Sequence, residues 1–447
     1  MYKFGKAVSE FGKKVYKFAD SEIPGKAIMY SILCYTIIME TLISQFHFPT
    51  EIRYFNDFLV LLLIPLILKD GVGDFFRKNG NQAVVISVLV FLCISLFTSL
   101  INVVSPLLVL WALRNTFRGV VFFFAASLYI KKEDLPKLFD ILLVVQAVNL
   151  LLAIYQYAVL HRDRDDIGGI FGYSNAAVNL FNILITAYFF VCYLKKKEGF
   201  LKLVIACLSS VLMASLAEVK ASFIFIVLIS IVVILLTGFS VKKLLIVVGI
   251  ICVLITGILL MEVLNPESAH HLKSLKAIIE YFTASYESGY RLPRLGSFSI
   301  IEKLFLNDSI FSKLFGIGFG NAETSKFSFL QSEFYLKYGD YNYRWFTHQW
   351  IFIEEGYIGF ISYLSIFISM LICLVKNRKY DVDNYNIIVA ICTVICCIAI
   401  IWYDAALKID MQYLAYFSMA IGFVSLKNQN IVYLQHKLLR NGCKKAK

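Results

Sequence analysis

The chain has 447 residues, of which 59% are hydrophobic and only 17% are charged. A soluble fold of this composition would have too little polar surface to cover its core, so the sequence predicts an integral membrane protein. The formal net charge of +12 comes largely from clusters that flank apolar runs. Such clusters set topology and attract anionic membrane lipid, and they give no reason to expect nucleic acid as a partner.

Apolar runs recur along the whole chain, and crossing a hydrocarbon core of ~30 Å takes about 20 residues. They predict an all-α, polytopic membrane protein with about twelve transmembrane helices. Nine spans are expected within residues 27–262 and three within residues 348–426. The spans are expected at residues 27–45, 57–68, 83–103, 108–130, 138–160, 176–194, 203–216, 222–239, 244–261, 350–375, 387–402 and 411–426.

Lys and Arg collect in an N-terminal arm (residues 1–26), in a tail (residues 427–447) and in every second loop between them. Because basic loops stay on the cytoplasmic side, the protein is expected in the cytoplasmic (inner) membrane with both termini in the cytoplasm. The arm is expected to lie on that membrane as an amphipathic helix. The alternate loops then face outward, including a large loop at residues 263–347. The loop's apolar spacing predicts one surface helix in 268–288 and another stretch in 297–315.

Polar residues cluster in four of the expected outward segments: residues 161–175, 217–222, 289–297 and 343–360. Asp163 and Asp165 form a D-x-D pattern in the first, but Arg162 and Arg164 flank them, which favours a self-neutralising loop over a metal site. Arg114 and Arg118 lie one turn apart inside the fourth span. Charges at such depth are costly and usually face a cavity or a partner.

Several short motifs occur in a telling order: GGIFGYSN before a span, KAS between two spans, R-L in the large loop, LFGIGFGN, and then H with EEGYIG at a helix start. This order resembles the O-antigen polymerase and O-antigen ligase superfamily (Wzy and WaaL types). The resemblance covers roughly residues 138–375. It implies an enzyme that transfers glycan from polyprenyl diphosphate at the outer face of the membrane, with no metal or nucleotide cofactor.

The resemblance also implies roles for particular residues. Arg291 and Arg294 would hold the diphosphate, and Lys220 stands where the family often has Arg, which keeps the charge but loses the bidentate fork. His348 matches a ligase-type His proposed as the base. The further substrate-binding candidates are Arg118, Arg164 and Arg344. The chemistry agrees, because guanidinium groups stabilise a leaving diphosphate and a His suits proton acceptance from a hydroxyl.

Three functions remain open at this point. A polymerase would pass glycan onto another lipid-linked unit, beside a flippase and a chain-length regulator, whereas a ligase would pass it to a lipid or protein acceptor. A transporter of the lipid-linked unit would need ion-coupling carboxylates inside spans, and beyond Glu40 and Glu218 near span ends the sequence offers few. Against all three stands the plain interpretation that these cations anchor lipid headgroups.

Overall fold

The structure is a computed structural model that describes residues 23–283, 292–378 and 384–426. Within these ranges the regular elements are helices, and no strand occurs. Arg291, the N-terminal arm before Ile23 and the basic tail from residue 427 lie outside the described residues. The predictions made for them therefore stay predictions.

Ten helices precede the large loop. They are α1 (Ile23–Ser44), α2 (Tyr54–Lys69), α3 (Val72–Lys78), α4 (Gln82–Ile101), α5 (Pro106–Tyr129), α6 (Leu135–Ala158), α7 (Asn175–Leu194), α8 (Phe200–Leu216), α9 (Lys220–Thr237) and α10 (Val241–Leu264). Five helices lie in the loop: α11 (Pro266–His270), α12 (Leu275–Thr283), α13 (Ser297–Leu304), α14 (Ile310–Phe315) and α15 (Glu333–Tyr338). Three more come after it: α16 (Thr347–Asn377), α17 (Tyr385–Tyr403) and α18 (Gln412–Val424).

Among the described residues, nine helical segments are long and apolar enough to cross a membrane: α1, α4, α5, α6 with the turn before it, α7, α9, α10, α16 and α17. This confirms a polytopic, all-helical membrane protein. The other three predicted spans also fall on helices, but these are shorter: α2, α8 and α18 have 16, 17 and 13 residues. Their length alone is too short to identify them as membrane-crossing helices.

Helix α7 lies at the centre of the bundle. In its most apolar stretch of 18 residues, 89% of the residues are buried inside the protein, whereas in the corresponding stretch of α10 only 22% are buried. A helix that is apolar on all sides is typical of a bundle core or of a lipid-facing position, and burial separates the two here. Helix α7 packs on α8, α9 and α17, whereas α16 packs on α4, and α18 packs between α5 and α17.

The large loop is built from the short helices α11 to α15 and several 3-10 turns. The surface helix predicted in 268–288 is two helices, α11 and α12, up to Thr283. The stretch predicted in 297–315 as continuous is also two helices, and that prediction was wrong. Asn307 and Asp308 adopt left-handed backbone, with φ of 49° and 57°. After Gly, Asn and Asp tolerate this conformation best, and the turn sends Leu306 into the core.

Candidate functional site

The polar segments that the sequence predicts to face outward meet at one end of the helix bundle, called here the outer end. The loop before α16 contacts the turn between α17 and α18, since Thr347 N–H donates to the Asp404 carbonyl at 3.1 Å. The loop also reaches α5, because Trp111 Nε1 donates to the Thr324 carbonyl at 2.9 Å. Loops far apart in sequence therefore form one surface.

Two of the predicted phosphate-binding cations lie on the same tyrosine ring. Lys220 Nζ is 5.0 Å from the Tyr281 ring centroid, and Arg294 Cζ is 4.2 Å from it. The Arg294 guanidinium also lies over Phe346 at 5.0 Å and over Tyr403 at 5.4 Å. These five residues are called the Tyr281 niche. Aromatic faces attract cations and fix their positions, so the niche presents two placed positive charges at the outer end.

Local structure explains how each cation reaches the niche. Lys220 is the first residue of α9, after Glu218 reverses the chain in left-handed backbone with φ 53°. The positive end of the α9 dipole therefore adds to the Lys220 charge. Arg294 sits in a non-helical segment held on both sides: Leu295 N–H donates to the Phe282 carbonyl at 2.8 Å. Gln349 Nε2 donates to the carbonyl of the residue before Arg294, also at 2.8 Å.

His348 is buried behind the niche, with 1% exposure. Its Nδ1 is 3.0 Å from the Ile401 carbonyl, and its Nε2 is 3.1 Å from Ser297 Oγ. A carbonyl only accepts, so Nδ1 carries the proton and Nε2 accepts from the serine hydroxyl. The ring stacks on Trp402 with centroids 6.0 Å apart. In this arrangement His348 ties the start of α13 to the end of α17 and so braces the segment that carries Arg294.

Asp404 brings a carboxylate to the same region. Burial raises the pKa of Asp404 to about 7, against the opposing effects of the Ala406 N–H, the Arg294 guanidinium and the Asn179 side chain. The Ala406 N–H donates to Asp404 Oδ1 at 2.7 Å. Across the niche, burial together with Lys220, His270 and Arg294 lowers the pKa of His271. The region therefore combines fixed cations with an acid that titrates near neutral pH.

The remaining predicted substrate-binding residues lie elsewhere. Arg164 pairs with Glu267 at 3.2 Å, in an exposed loop. Arg344 lies over Tyr335, 4.4 Å from the ring centroid, and donates to its hydroxyl at 3.3 Å. Arg118 is almost wholly buried in a separate ionic cluster. Of the predicted substrate-binding cations that the structure describes, Lys220 and Arg294 are thus the two that lie together.

Six charged residues form a second cluster near the outer end. They come from α1, α2, α5, the turn before α2 and the turn between α17 and α18: Glu40, Arg53, Asp57, Arg114, Arg118 and Asp410. Arg118 Nη1 lies 2.6 Å from Asp410 Oδ1 and 3.1 Å from Asp57 Oδ1. Arg114 pairs with Asp57 as well, and Arg53 pairs with Glu40 at 2.9 Å. Burial alone would raise the pKa of Asp410, but the arginines hold it below its usual value.

The partner expected for the intramembrane arginines is thus Asp57 together with Asp410. The cluster balances three arginines with three carboxylates, which is how proteins accommodate charges away from water. Its acids already compensate its cations, so the cluster favours a structural role over anion binding.

A third set of charges is fully buried. Lys408 Nζ lies 3.1 Å from Glu323 Oε1 and 3.1 Å from Glu354 Oε2, and all three side chains have 0% exposure. Burial alone would lower the pKa of Lys408, but the two carboxylates hold it above its usual value. Glu323 also accepts from Asn115 Nδ2 at 2.7 Å. This Lys408 triad joins the large loop, α16 and the turn before α18.

Helix α16 is broken at Gly356, which has φ 61° and ψ −160°. The break frees the carbonyls of Ile353 and Glu354, and the N–H groups of Ile317 and Gly318 donate to them at 2.9 Å. A Cβ at Gly316 would lie 2.4 Å from the Glu354 carbonyl. The GIGFG motif therefore packs its backbone into a helix break, as non-helical backbone within a membrane protein must.

The N–H groups around this motif also serve the triad. Those of Gly320 and Ala322 donate to Glu354 Oε1 at 3.1 and 3.2 Å. The motif is thus a packing turn whose donors face protein acceptors. Within the described ranges, no group of three or more Asp, Glu, His or Cys side chains is placed to hold a metal ion.

Sequence reasoning missed the buried acids of α16. Glu354 and Glu355 have 0% exposure, and Ser95 Oγ donates to Glu355 Oε2 at 2.8 Å. The expectation of few carboxylates inside the spans was wrong, because EEG lies within α16, directly before its break at Gly356, and not at the start of a helix. The sequence did contain a signal for this. The seven residues before Glu354, THQWIFI, include no Asp, Glu, Lys or Arg, so the two glutamates lie more than one helical turn into the apolar run.

Neither a protein-family model nor a curated protein matches the chain. The geometry of the Tyr281 niche and the order of the sequence motifs are therefore the two features that bear on function. Fold alone would not decide it, since helical membrane bundles serve many activities.

Proposed function

We propose that this protein transfers glycan from a polyprenyl diphosphate carrier onto another lipid-linked repeat unit at the outer face of the cytoplasmic membrane. The observation that carries the proposal is the convergence of Lys220 and Arg294 on Tyr281. Two placed cations suit a diphosphate, whose negative charge grows as the glycosidic bond to it breaks. No ATP is needed, because the donor bond supplies the free energy.

In this proposal each residue of the region has a distinct task. Lys220 and Arg294 bind the diphosphate and stabilise it as the leaving group. Asp404 accepts the proton of the acceptor hydroxyl, since a carboxyl that titrates near neutral pH is suited to general base catalysis. His348, the base candidate from the sequence, acts as a positioning residue through Ser297 and the backbone around Arg294. Arg291 remains a second candidate for the diphosphate.

Activity is expected to rise as pH increases through about 7, because Asp404 must lose its proton to act as a base and its pKa is about 7. Asp404→Asn should lose this activity while the protein still accumulates, since an amide still accepts from the Ala406 N–H. The measurement is the initial rate of glycan transfer between pH 5.5 and 8.5. A flat profile, or an active Asp404→Asn variant, would remove Asp404 from the mechanism.

The proposal requires twelve crossings with both termini in the cytoplasm, which places the niche outside. A cysteine at Ser328, an exposed residue of the large loop, should react with a membrane-impermeant maleimide in intact spheroplasts. A cysteine at exposed Lys131, predicted inside, should react only after permeabilisation. The unsubstituted chain gives the background labelling. The reverse pattern would contradict the topology and the reaction together.

The proposed reaction is tested with purified protein and only polyprenyl diphosphate-linked repeats. A polymerase should produce a ladder of products that differ by one repeat and should release free polyprenyl diphosphate, with EDTA present throughout. Transfer that starts only when a lipid core or protein acceptor is added would identify a ligase instead. A protein that makes no new glycosidic bond with either acceptor would refute both.

A second candidate is transport of the lipid-linked unit. The observation that favours it is the broken helix α16 with Glu354 and Glu355 buried beside the break. Discontinuous helices with carboxylates near the membrane interior are common in transporters. A transporter would move fluorescent lipid-linked glycan across proteoliposome membranes without lengthening it. The ladder assay separates the two, because only a transferase changes the product's length.

A further inference from the structure

A pocket of about 520 Å³ opens at the outer ends of α6, α8 and α10. Its volume falls within the ~300–1,000 Å³ typical of ligand pockets. Tyr157 from α6, Glu218 after α8 and Asn265 after α10 contribute to its lining. It is called here the Glu218 pocket, and none of its lining residues belongs to the Tyr281 niche.

The charge of the Glu218 pocket is opposite to that of the niche. Asp163, Glu218 and Glu267 line it, against one cation, Arg164. Glu218 is fixed, because Asn265 Nδ2 and Ser268 Oγ donate to its two carboxylate oxygens. The Arg164–Glu267 pair is loose, since the two side chains are 60% and 83% exposed and such pairs contribute little. The pocket therefore disfavours anions and offers several acceptors to hydroxyl or ammonium donors.

The pocket and the niche are built from neighbouring residues of the same segments. The turn that carries Glu218 continues directly into Lys220, whose N–H donates to the Glu218 carbonyl at 2.9 Å. Helix α11 provides Glu267 and leads into His271, whose ring centroid is 5.1 Å from that of Tyr281. The two sites therefore adjoin, as a molecule with a phosphate at one end and hydroxyl groups at the other would require.

Backbone conformation agrees with a fixed pocket. Arg164 and Glu218 both adopt left-handed backbone, with φ of 51° and 53°. Residues with a Cβ rarely adopt this conformation. Both residues direct side chains to the same lining, so the fold maintains two strained turns around one space.

We propose that the Glu218 pocket binds the sugar portion of the lipid-linked glycan and selects neutral or amine-bearing sugars over acidic ones. This inference depends on the proposed function, because it takes the diphosphate to lie in the adjoining niche. Sugar hydroxyls donate to Glu218, Glu267 and Asp163 in charge-assisted hydrogen bonds. The Tyr157 ring supplies an apolar surface for the carbon face of a sugar ring. A carboxylated sugar would meet three carboxylates against one arginine.

The test uses the full-length protein in phosphatidylcholine nanodiscs and three probes of equal length. These are the tetrasaccharides of N-acetylglucosamine, glucosamine and galacturonic acid, and their binding is measured by saturation-transfer NMR. We expect the first two to bind and the third to bind roughly tenfold more weakly or not at all, a factor equal to about 1.4 kcal/mol. Equal binding of all three, or binding of none, would overturn the proposal.

Variants assign the selectivity to this pocket. Glu218→Gln should bring the affinities of the neutral and acidic probes closer together. Glu218 also anchors Asn265 and Ser268, so Glu267→Gln, at a highly exposed side chain, is the second variant and should act in the same direction. The matched control is Glu280→Gln, an exposed carboxylate of α12 that pairs with Lys276, and its selectivity should equal that of the wild type.

The outcomes separate this proposal from the transfer reaction. Unchanged selectivity in both variants, in a protein that still builds the ladder, overturns the pocket and leaves the transferase intact. Altered selectivity in a protein that makes no glycosidic bond supports the pocket and refutes the transferase. Loss of probe binding when phosphatidylethanolamine replaces phosphatidylcholine would show that a lipid headgroup occupies the pocket, and would overturn the sugar assignment.

Discussion

Lys408→Ala is expected to destabilise the folded protein by about 3–5 kcal/mol, the usual cost of removing one partner from a buried ion pair. The substitution leaves Glu323 and Glu354 with no compensating cation in a region where their side chains have 0% exposure. Total stabilities of domains are about 5–15 kcal/mol, so most of the variant should fail to accumulate. The measurement is thermal unfolding in detergent, followed by circular dichroism, together with the yield of monodisperse protein.

Two further variants show that charge compensation is the cause. Lys273→Ala removes a lysine from a partly exposed pair with Glu262 and should cost only ~0–1 kcal/mol. Combining Lys408→Met with Glu323→Gln and Glu354→Gln should recover much of the stability, because no buried charge is left uncompensated. A Lys408→Ala protein that unfolds at the wild-type temperature would contradict the buried ion pairs of Lys408 with Glu323 and Glu354.

Arg294→Ala is expected to reduce glycan transfer by roughly 100- to 1,000-fold, the range seen when one preorganised donor to a developing negative charge is removed. Arg294→Lys should recover only part of the activity, since an ammonium replaces the guanidinium fork and its stacking on three aromatic rings. The assay is the ladder formed from lipid-linked repeats. Binding of the carrier diphosphate should weaken in parallel, by about 1.5–3 kcal/mol for the lost charge-assisted contact.

The control is Arg77→Ala, at an exposed arginine that pairs with Asp74 at the other end of the bundle. It should leave the ladder unchanged. Arg294→Ala also removes packing against Tyr281, Phe346 and Tyr403, so its unfolding temperature must be compared with that of the wild type. A stable Arg294→Ala protein with a normal ladder would reduce Arg294 to a lipid headgroup anchor and leave the niche without a function.

Part of the site could be predicted from the sequence. The basic clusters and the motif order identified Lys220 and Arg294, which lie on one ring in the structure. The intramembrane position of Arg118 predicted a partner or a cavity, and the partners are Asp57 and Asp410. For Lys408 no local pattern gives its role. Its two acids come from the large loop and from α16, and no spacing rule connects segments so far apart.

The role of His348 also could not be predicted from the local sequence. The sequence indicates a titratable side chain next to aromatic residues at a helix start, which fits either a base or an interfacial residue. The structure places both ring nitrogens in hydrogen bonds, with Ser297 and with the Ile401 carbonyl. That distinction depends on which loop packs over the helix start, and residues 292–297 become neighbours of His348 only after the large loop has folded.

The sequence by itself determined the membrane setting, the helical class and the positions of the apolar helices, because hydrophobic length and charge at span ends act locally along the chain. Only the tertiary structure decided which charges neutralise one another, where α16 breaks and which cations share the Tyr281 niche. These features depend on residues that are far apart in the sequence, because a buried charge is stable only beside the group that compensates it.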